Sequence, residues 1–385
     1  MSSPEDASMH DLAGRTRAWA CYDCGKCTAT CPISRAGAAY SPRKHVLETN
    51  LFRESEIRGD ESLAVCLTCS QCDERCPVQV DYTNLVQGLR ELVYDPVAEP
   101  ECPHGGALQS IMRMMALGGT QQARLDWLDS SLDVGAKKGK VFYWTGCTMY
   151  YDAFFTDLGV TTLNGTKAAL RLLNAMGEKP VVSPDERCCG HDLLWTGDRR
   201  SFEALARHNI GLVEKSGAEL LVTSCAECLR TWKLDYRPYY GKNPPKIMHI
   251  TEILAERWDG LKLGEAGKSR VTFQDPCRLG RHLGIYDPPR KALSSVEGIE
   301  FAEMEHSGPG AVCCAGGTWS NCDRYAKKIQ VQRLREARST GAGVLATACP
   351  KCQVHFRCAM KDPNIGDDIK IELRDVAEIV AEALQ

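Results

Sequence analysis

The sequence has no long apolar run. A helix needs about 20 apolar residues to cross a bilayer. The best stretch here, residues 111–117, is broken by Arg113 and flanked by glycines. An excess of either charge is also missing. Lys and Arg number 47 against 50 Asp and Glu, a net −3 at pH 7. The basic patch typical of nucleic-acid binders is therefore absent, and no nucleic-acid partner is expected. The first residues, Met1-Ser2-Ser3-Pro4-Glu5-Asp6, are acidic with no apolar centre, so no secretion signal is expected. No Gly-x-Gly-x-x-Gly or phosphate loop stands between a strand and a helix, so the chain is expected to hold no flavin or nicotinamide.

Cysteine is the exception, with 21 among 385 residues. Disulfide scaffolds of such density are usually short and secreted. Length, spacing and the missing signal point instead to metal-bound thiolates in a reducing, cytoplasmic compartment. Residues 21–76 hold eight cysteines and residues 147–352 hold ten in a spaced pattern. Cys102, Cys322 and Cys358 are left over and are expected to be buried structural thiols.

The first group forms two matched runs. They are Cys21-x-x-Cys24-x-x-Cys27-x-x-x-Cys31-Pro32 and Cys66-x-x-Cys69-x-x-Cys72-x-x-x-Cys76-Pro77. A lone Cys-x-x-Cys would suit zinc, but two four-cysteine runs closed by Cys-Pro are the bacterial ferredoxin pattern. In that pattern three close cysteines hold one cubane cluster and the fourth reaches across to the other. Cys21, Cys24, Cys27 and Cys76 are thus expected to hold one [4Fe–4S] cubane, and Cys66, Cys69, Cys72 and Cys31 the second. Gly25 and the small Ser70 leave room for backbone N–H groups to approach the sulfurs. Helices are expected over residues 43–49, started by Ser41-Pro42, and 85–94.

The second group lies in an internal repeat. Gly217-Ala218-Glu219-Leu220-Leu221-Val222-Thr223-Ser224-Cys225-Ala226-Glu227-Cys228 matches Gly341-Ala342-Gly343-Val344-Leu345-Ala346-Thr347-Ala348-Cys349-Pro350-Lys351-Cys352 at an offset of 124. Cys188-Cys189 matches Cys313-Cys314, and Cys147 matches Cys277. Each copy reads strand, cysteine, helix, strand, Cys-Cys loop, long helix, strand, Cys-x-x-Cys. The long helices are expected over 201–216 and 324–340, and the first strands run from 141 and 271 into Cys147 and Cys277. Such alternation predicts parallel sheets with the cysteines at strand ends, where α/β sheets keep their sites. The fold class is therefore a multidomain α+β and α/β chain. Residues 1–100 form a helical ferredoxin-like domain and 101–140 a helical linker, with helices at 109–117 and 121–132 among Pro- and Gly-rich turns. Residues 141–260 and 261–385 form two α/β domains related by pseudo-twofold symmetry.

Five cysteines per copy exceed the four thiolates of a cubane. A fifth ligand, with two adjacent in sequence, suits an opened cluster in which one thiolate bridges irons. Together with Thr145-Gly146-Cys147, Cys188-Cys189-Gly190, Val222-Thr223-Ser224-Cys225, Asp275-Pro276-Cys277 and Thr347-Ala348-Cys349-Pro350, this pattern resembles the paired cysteine-rich (CCG) domains of heterodisulfide reductase. The N-terminal part resembles the C-type polypeptide of that enzyme and residues 141–352 its B-type polypeptide, in the fused order of its D-type polypeptide. Glycerol-3-phosphate and lactate oxidation proteins carry related domains. The resemblance implies noncubane [4Fe–4S] clusters, one or two, on Cys147, Cys188, Cys189, Cys225 and Cys228 and on Cys277, Cys313, Cys314, Cys349 and Cys352. It further implies a small disulfide or thiol substrate between them. The implied partner is the A-type flavoprotein of heterodisulfide reductase or a b-type cytochrome, the latter placing the chain at the inner face of the membrane. The alternative is an electron conduit in a flavin-containing bifurcating complex or a quinone-linked one. Copy two departs from the motif with Cys-Cys-Ala, and Ala315 has poor access to the positive φ that glycine takes easily.

His191, after the first Cys-Cys-Gly, and His282, with Arg278 and Arg281 after Cys277, are candidates to donate protons to departing thiolates or steer an anionic disulfide. Helix capping or solvation would explain them equally. Trp144, Trp195 and Trp319 could shield clusters or merely pack the core.

Overall fold

The computed structural model describes residues 8–95, 103–119, 122–264, 267–320 and 322–385. Its contacts divide into two compact units. One comprises Met1–Arg113, Gly190–Phe202 and Ala315–Ile329; the other comprises Met114–Cys189, Glu203–Cys314 and Gln330–Gln385.

The first unit is helical, with Met9–Arg15, Pro42–Asn50 and Tyr82–Val93 as its frame. Leu12, Ile33, Val46, Leu85, Val86 and Leu89 fill its core. Ser41 starts the second of these helices as expected, its Oγ accepting from Lys44 N at 3.3 Å ahead of Pro42. Two segments far away in sequence belong to the same unit. The buried Arg90 explains part of this: its guanidinium donates to the carbonyls of Leu63, Ala64 and Cys66 and to that of Trp195 at 2.8 Å. Ser320 Oγ donates to Ala64 O at 3.0 Å, and Arg113 pairs with Asp198 at 2.8 Å.

The second unit holds two parallel sheets. Strands β1 (Val141–Trp144), β2 (Leu220–Thr223) and β3 (Lys246–His249) run in the order β1-β2-β3. Strands β4 (Ser269–Gln274), β5 (Ile299–Phe301), β6 (Val344–Thr347) and β7 (Glu372–Asp375) run in the order β5-β4-β6-β7. The central strands read as continuous apolar runs because both faces are covered, as parallel sheets require. The register pairs Val141 with Leu220, Val222 with Met248 and Val271 with Val344. In the first sheet the counterpart of β5 shrinks to isolated bridges at Val181. The long helices are Arg199–Ser216 and Arg324–Ser339, each within two residues of expectation.

The two copies exchange helices. Thr162–Ala175 of the first packs on Val376–Glu382 of the second, and Asp287–Ser294 of the second packs on Ile250–Arg257 of the first. The receiving helices start alike. His249 and Asp375, each ending a strand, cap them with matching capping boxes completed by Glu252 and Glu378.

The linker is less helical than expected. Ala107–Leu117 is a helix, but residues 122–132 are turns and bends. Asp129 draws Ser131 N onto its side chain at 3.0 Å, the local bonding by which Asp and Ser compete with a helix, and Arg124 is tied into the core. Residues 96–102, with Cys102 and most of the Pro-rich turn, lie outside the described residues. Among the described residues no helix is long and apolar enough to cross a membrane.

Candidate metal centres

In the first unit the eight ferredoxin-type cysteines line two recesses. Cys21, Cys24, Cys27 and Cys76 line one of them with Tyr22, Arg43 and Tyr82. Cys31, Cys66, Cys69 and Cys72 line the other with Tyr40, Pro42 and Tyr82. Cys72 also reaches the wall of the first. The fourth cysteine of each run thus faces the recess of the other run. Backbone geometry repeats as well: Asp23 and Gly25 in one loop, and Thr68 and Ser70 in the other, all have φ between 49° and 76°. These left-handed steps turn amides toward sulfur, with Asp23 N–H 3.4 Å from Cys21 Sγ and Thr68 N–H 3.3 Å from Cys66 Sγ. Burial pushes the Cys31 thiol up to about 12 and raises Cys66 and Cys72 as well. Four soft sulfur donors whose anions need a bound cation fit an iron–sulfur cluster in each recess. Tyr40, in the second recess, bonds through its hydroxyl to Tyr82 at 2.6 Å. Tyr82 meets His45 Nδ1 at 2.7 Å, and His45 Nε2 meets Asp60 at 3.1 Å.

In the second unit each copy gathers its five cysteines by the same pairings. In copy one Cys147 Sγ lies 3.6 Å from Cys188 Sγ, and Cys189 Sγ lies 3.5 Å from Cys228 Sγ. Copy two repeats this with Cys277 against Cys313 and Cys314 against Cys352. Cys147 and Cys277 are half-buried and the other eight are buried. The sets meet: the thiols of Cys225 and Cys349 interact directly. Hydrogen bonds from Cys228 and Cys349 lower Cys225, whereas Cys349 is raised chiefly by Cys225. Ten clustered thiols in two matching sets fit two further sulfur-ligated centres.

Buried polar side chains hold these loops. Glu186 accepts from Thr145 N at 3.1 Å and Gly146 N at 2.8 Å, and pairs with the buried Arg124 at 2.5 Å. Arg124 also donates to Gly146 O. Gly146 is needed here, since its φ is 68° and a Cβ would sit 3.1 Å from Cys228 Sγ. Copy two solves the same problem with other residues. Asp275, two residues before Cys277, takes both arms of Arg290 at 2.8 Å and Gly308 N at 2.8 Å. Asn209 donates to Cys188 O and Tyr236 to Cys189 O, both at 2.9 Å. Gly146 and Asp275 stand within the quoted motifs, but Arg124, Glu186, Arg290, Asn209 and Tyr236 were not apparent, because they sit outside the cysteine spacing.

His191 lies in the first unit, buried, bonded to Asp192 Oδ1 at 3.1 Å and stacked on Trp195. His282 lies in the second, where its Nε2 sits 2.6 Å from Arg278 Nη1 and so accepts from a permanent donor. Trp144, Trp195 and Trp319 are all buried. Cys322 corrects the expectation of a buried thiol, since it is exposed just before the helix Arg324–Ser339, and Cys358 is half-buried.

Two family descriptions match the chain. A 4Fe-4S dicluster domain matches residues 17–80, and a cysteine-rich domain matches residues 141–233 and 271–357. The chain is 29% identical to the D-type polypeptide of the dihydromethanophenazine:CoB–CoM heterodisulfide reductase of Methanosarcina barkeri, over 95% of this chain and 93% of that protein. It is 29% identical to the B-type polypeptide of the fumarate reductase (CoM/CoB) of Methanothermobacter marburgensis, over 93% of this chain and 72% of that one. In fold it is similar to a hypothetical protein from Helicobacter pylori, with a TM-score of 0.58 at 10% identity over 89% of this chain and 67% of the other. The chain thus carries one 4Fe-4S dicluster domain followed by two cysteine-rich domains, and along nearly its whole length it is similar to the iron–sulfur proteins of the heterodisulfide reductase D type.

Proposed function

We propose that this chain is the electron-transfer oxidoreductase component of a complex that reduces a disulfide, or oxidises thiols in reverse. When bound, two cubanes and two noncubane clusters would supply stepwise one-electron chemistry between a partner protein and the substrate sulfurs. The observation that carries the reading is the meeting of two five-thiol sets at Cys225 and Cys349 within one compact unit. A disulfide has two sulfurs, and cleaving its S–S bond takes two electrons and two protons to give two thiols. A paired site offers one sulfur-binding half to each.

The chain's residues would divide the work. Cys21, Cys24, Cys27 and Cys76 would hold one cubane, and Cys31, Cys66, Cys69 and Cys72 the other. Cys147, Cys188, Cys189, Cys225 and Cys228 would hold the first noncubane cluster, and Cys277, Cys313, Cys314, Cys349 and Cys352 the second. Ala315 takes φ 57°, in the same left-handed region as Gly190 at 75°, which supports two similar sets over a single working one. His282 would orient Arg278 beside Cys277 rather than supply a proton, because its Nε2 is occupied by a guanidinium donor. A flavoprotein or b-type cytochrome partner would complete the path, with the chain in the cytoplasm or at the inner face of the membrane.

The test is iron analysis and EPR of anaerobically purified protein. About sixteen irons per chain are expected, four per [4Fe–4S] unit, and oxidation in the presence of a thiol should give a paramagnetic state absent without it. About eight irons, or no thiol-dependent signal with any thiol tried, would overturn the reading.

A further inference from the structure

The internal repeat places Glu227 and Lys351 at the same position of the two Cys-x-x-Cys turns, 124 residues apart. They also touch. Lys351 Nζ lies 2.8 Å from Glu227 Oε2, with side chains 2% and 11% exposed. Two copies related by a twofold axis bring equivalent residues together only near that axis. Identical residues there would set like charge against like. Here the repeat has diverged to opposite charges, and the ion pair bridges the copies where Cys225 meets Cys349. A buried ion pair is a poor source of stability compared with apolar packing, and its better-attested use is to specify one register among several.

We propose that the Glu227–Lys351 pair is the positioning element that fixes the separation of the two five-cysteine sets, and so the gap that a disulfide must span. This rests on the reading of the sets as paired cluster sites. Each partner is rigidly placed, since Glu227 stands between Cys225 and Cys228 and Lys351 between Cys349 and Cys352. The pair therefore ties turn to turn rather than one flexible surface to another. It also makes the association one-way. Copy one accepts copy two, whereas copy one against its own duplicate from another chain would bring two carboxylates together.

The experiment uses the full chain with its clusters, in three variants. Lys351→Glu creates a buried like-charge pair and should lose the iron of the cysteine-rich module, about half of the total, while the ferredoxin-type signals persist. The exchange Glu227→Lys with Lys351→Glu restores opposite charges and should recover the iron. The neutral double variant Glu227→Gln with Lys351→Met should fold and keep its iron, but the magnetic interaction between the two cluster spins should change in the reduced protein. That broadening depends steeply on separation, and a merely structural role would not move it. An unchanged interaction in the neutral variant, or no recovery in the exchange, overturns the proposal. Wild-type protein with only about eight irons would instead refute the cluster reading and leave the pair without a site to position.

Discussion

Gly190 and Ala315 stand at the same place in the two copies, one residue after the paired cysteines, and both adopt left-handed backbone, with φ of 75° and 57°. The loop shape is thus kept although glycine is kept only once. Ala315 is fully buried, so its methyl group packs while its backbone is strained.

Replacing Ala315 by glycine should change stability little. Relief of the left-handed conformation is worth about 1–2 kcal/mol. Against it stand about 0.5–1 kcal/mol for glycine's extra freedom when unfolded and about 0.8 kcal/mol for the lost buried methyl. Denaturant unfolding should therefore place Ala315→Gly within about 1 kcal/mol of the wild type. Ala315→Val should lose more than about 2 kcal/mol, because a β-branched residue is a genuine outlier at this φ. Equal behaviour of the two variants would show that the backbone is not held there.

The Arg124–Glu186 pair is the larger liability. Both side chains are at most 1% exposed, and Glu186 also takes the amides of Thr145 and Gly146 ahead of Cys147. Glu186→Ala leaves a buried guanidinium without its anion, and should cost about 3–5 kcal/mol in thermal or denaturant unfolding. The double change Glu186→Leu with Arg124→Met should recover much of that loss, because it removes both charges. A loss below about 1 kcal/mol for the single variant would mean that the pair is solvated in solution.

These props mark how far the sequence could be read. Both ferredoxin runs, the repeat, the strands into Cys147 and Cys277 and the long helices were legible, because spacing and periodicity carry them. Arg124 was not, since a residue in a turn gives no sign that it will meet Glu186 62 residues later. The same holds for Arg90, whose bond to Trp195 O spans 105 residues and helps bring the segment after the first Cys-Cys pair into the N-terminal unit. The helix expected over 121–132 failed for the complementary reason. Composition favoured it, but Asp129 and the anchoring of Arg124 bind the chain otherwise.

Acid should weaken the ferredoxin-like unit through Asp60. Hydrogen bonds from His45, then from Lys44 and Ser62, hold its carboxyl well below the ordinary value of 3.8. A carboxylate depressed in the folded state stabilises fully above its unfolded value, and that stability is lost as the pH falls through the folded one. Stability at pH 7 should therefore fall in Asp60→Asn, and the wild-type advantage should shrink below about pH 4. Tyr82→Phe, which strips partners from Tyr40 and His45 in the same chain of bonds, should cost about 1–3 kcal/mol with much less pH dependence. An advantage over Asp60→Asn that persists unchanged to pH 3 would exclude Asp60 as the titrating group.

The crossed arrangement of the ferredoxin-type cysteines makes a prediction that spacing within a run does not. Cys76 closes the second run in sequence, yet it lines the recess of Cys21, Cys24 and Cys27, and Cys31 lines that of Cys66, Cys69 and Cys72. If each recess holds one cubane, Cys76→Ala should alter the same EPR signal as Cys24→Ala, and Cys31→Ala the same signal as Cys69→Ala. Each substitution should lower iron by at most about four per chain, or convert that cluster to a three-iron form, while the other signal persists. The recesses differ in setting, which helps separate the signals: Cys24 is exposed, whereas Cys31, Cys66 and Cys69 are buried. Pairing of Cys76 with Cys69 in their effects would mean that each run folds around its own cluster.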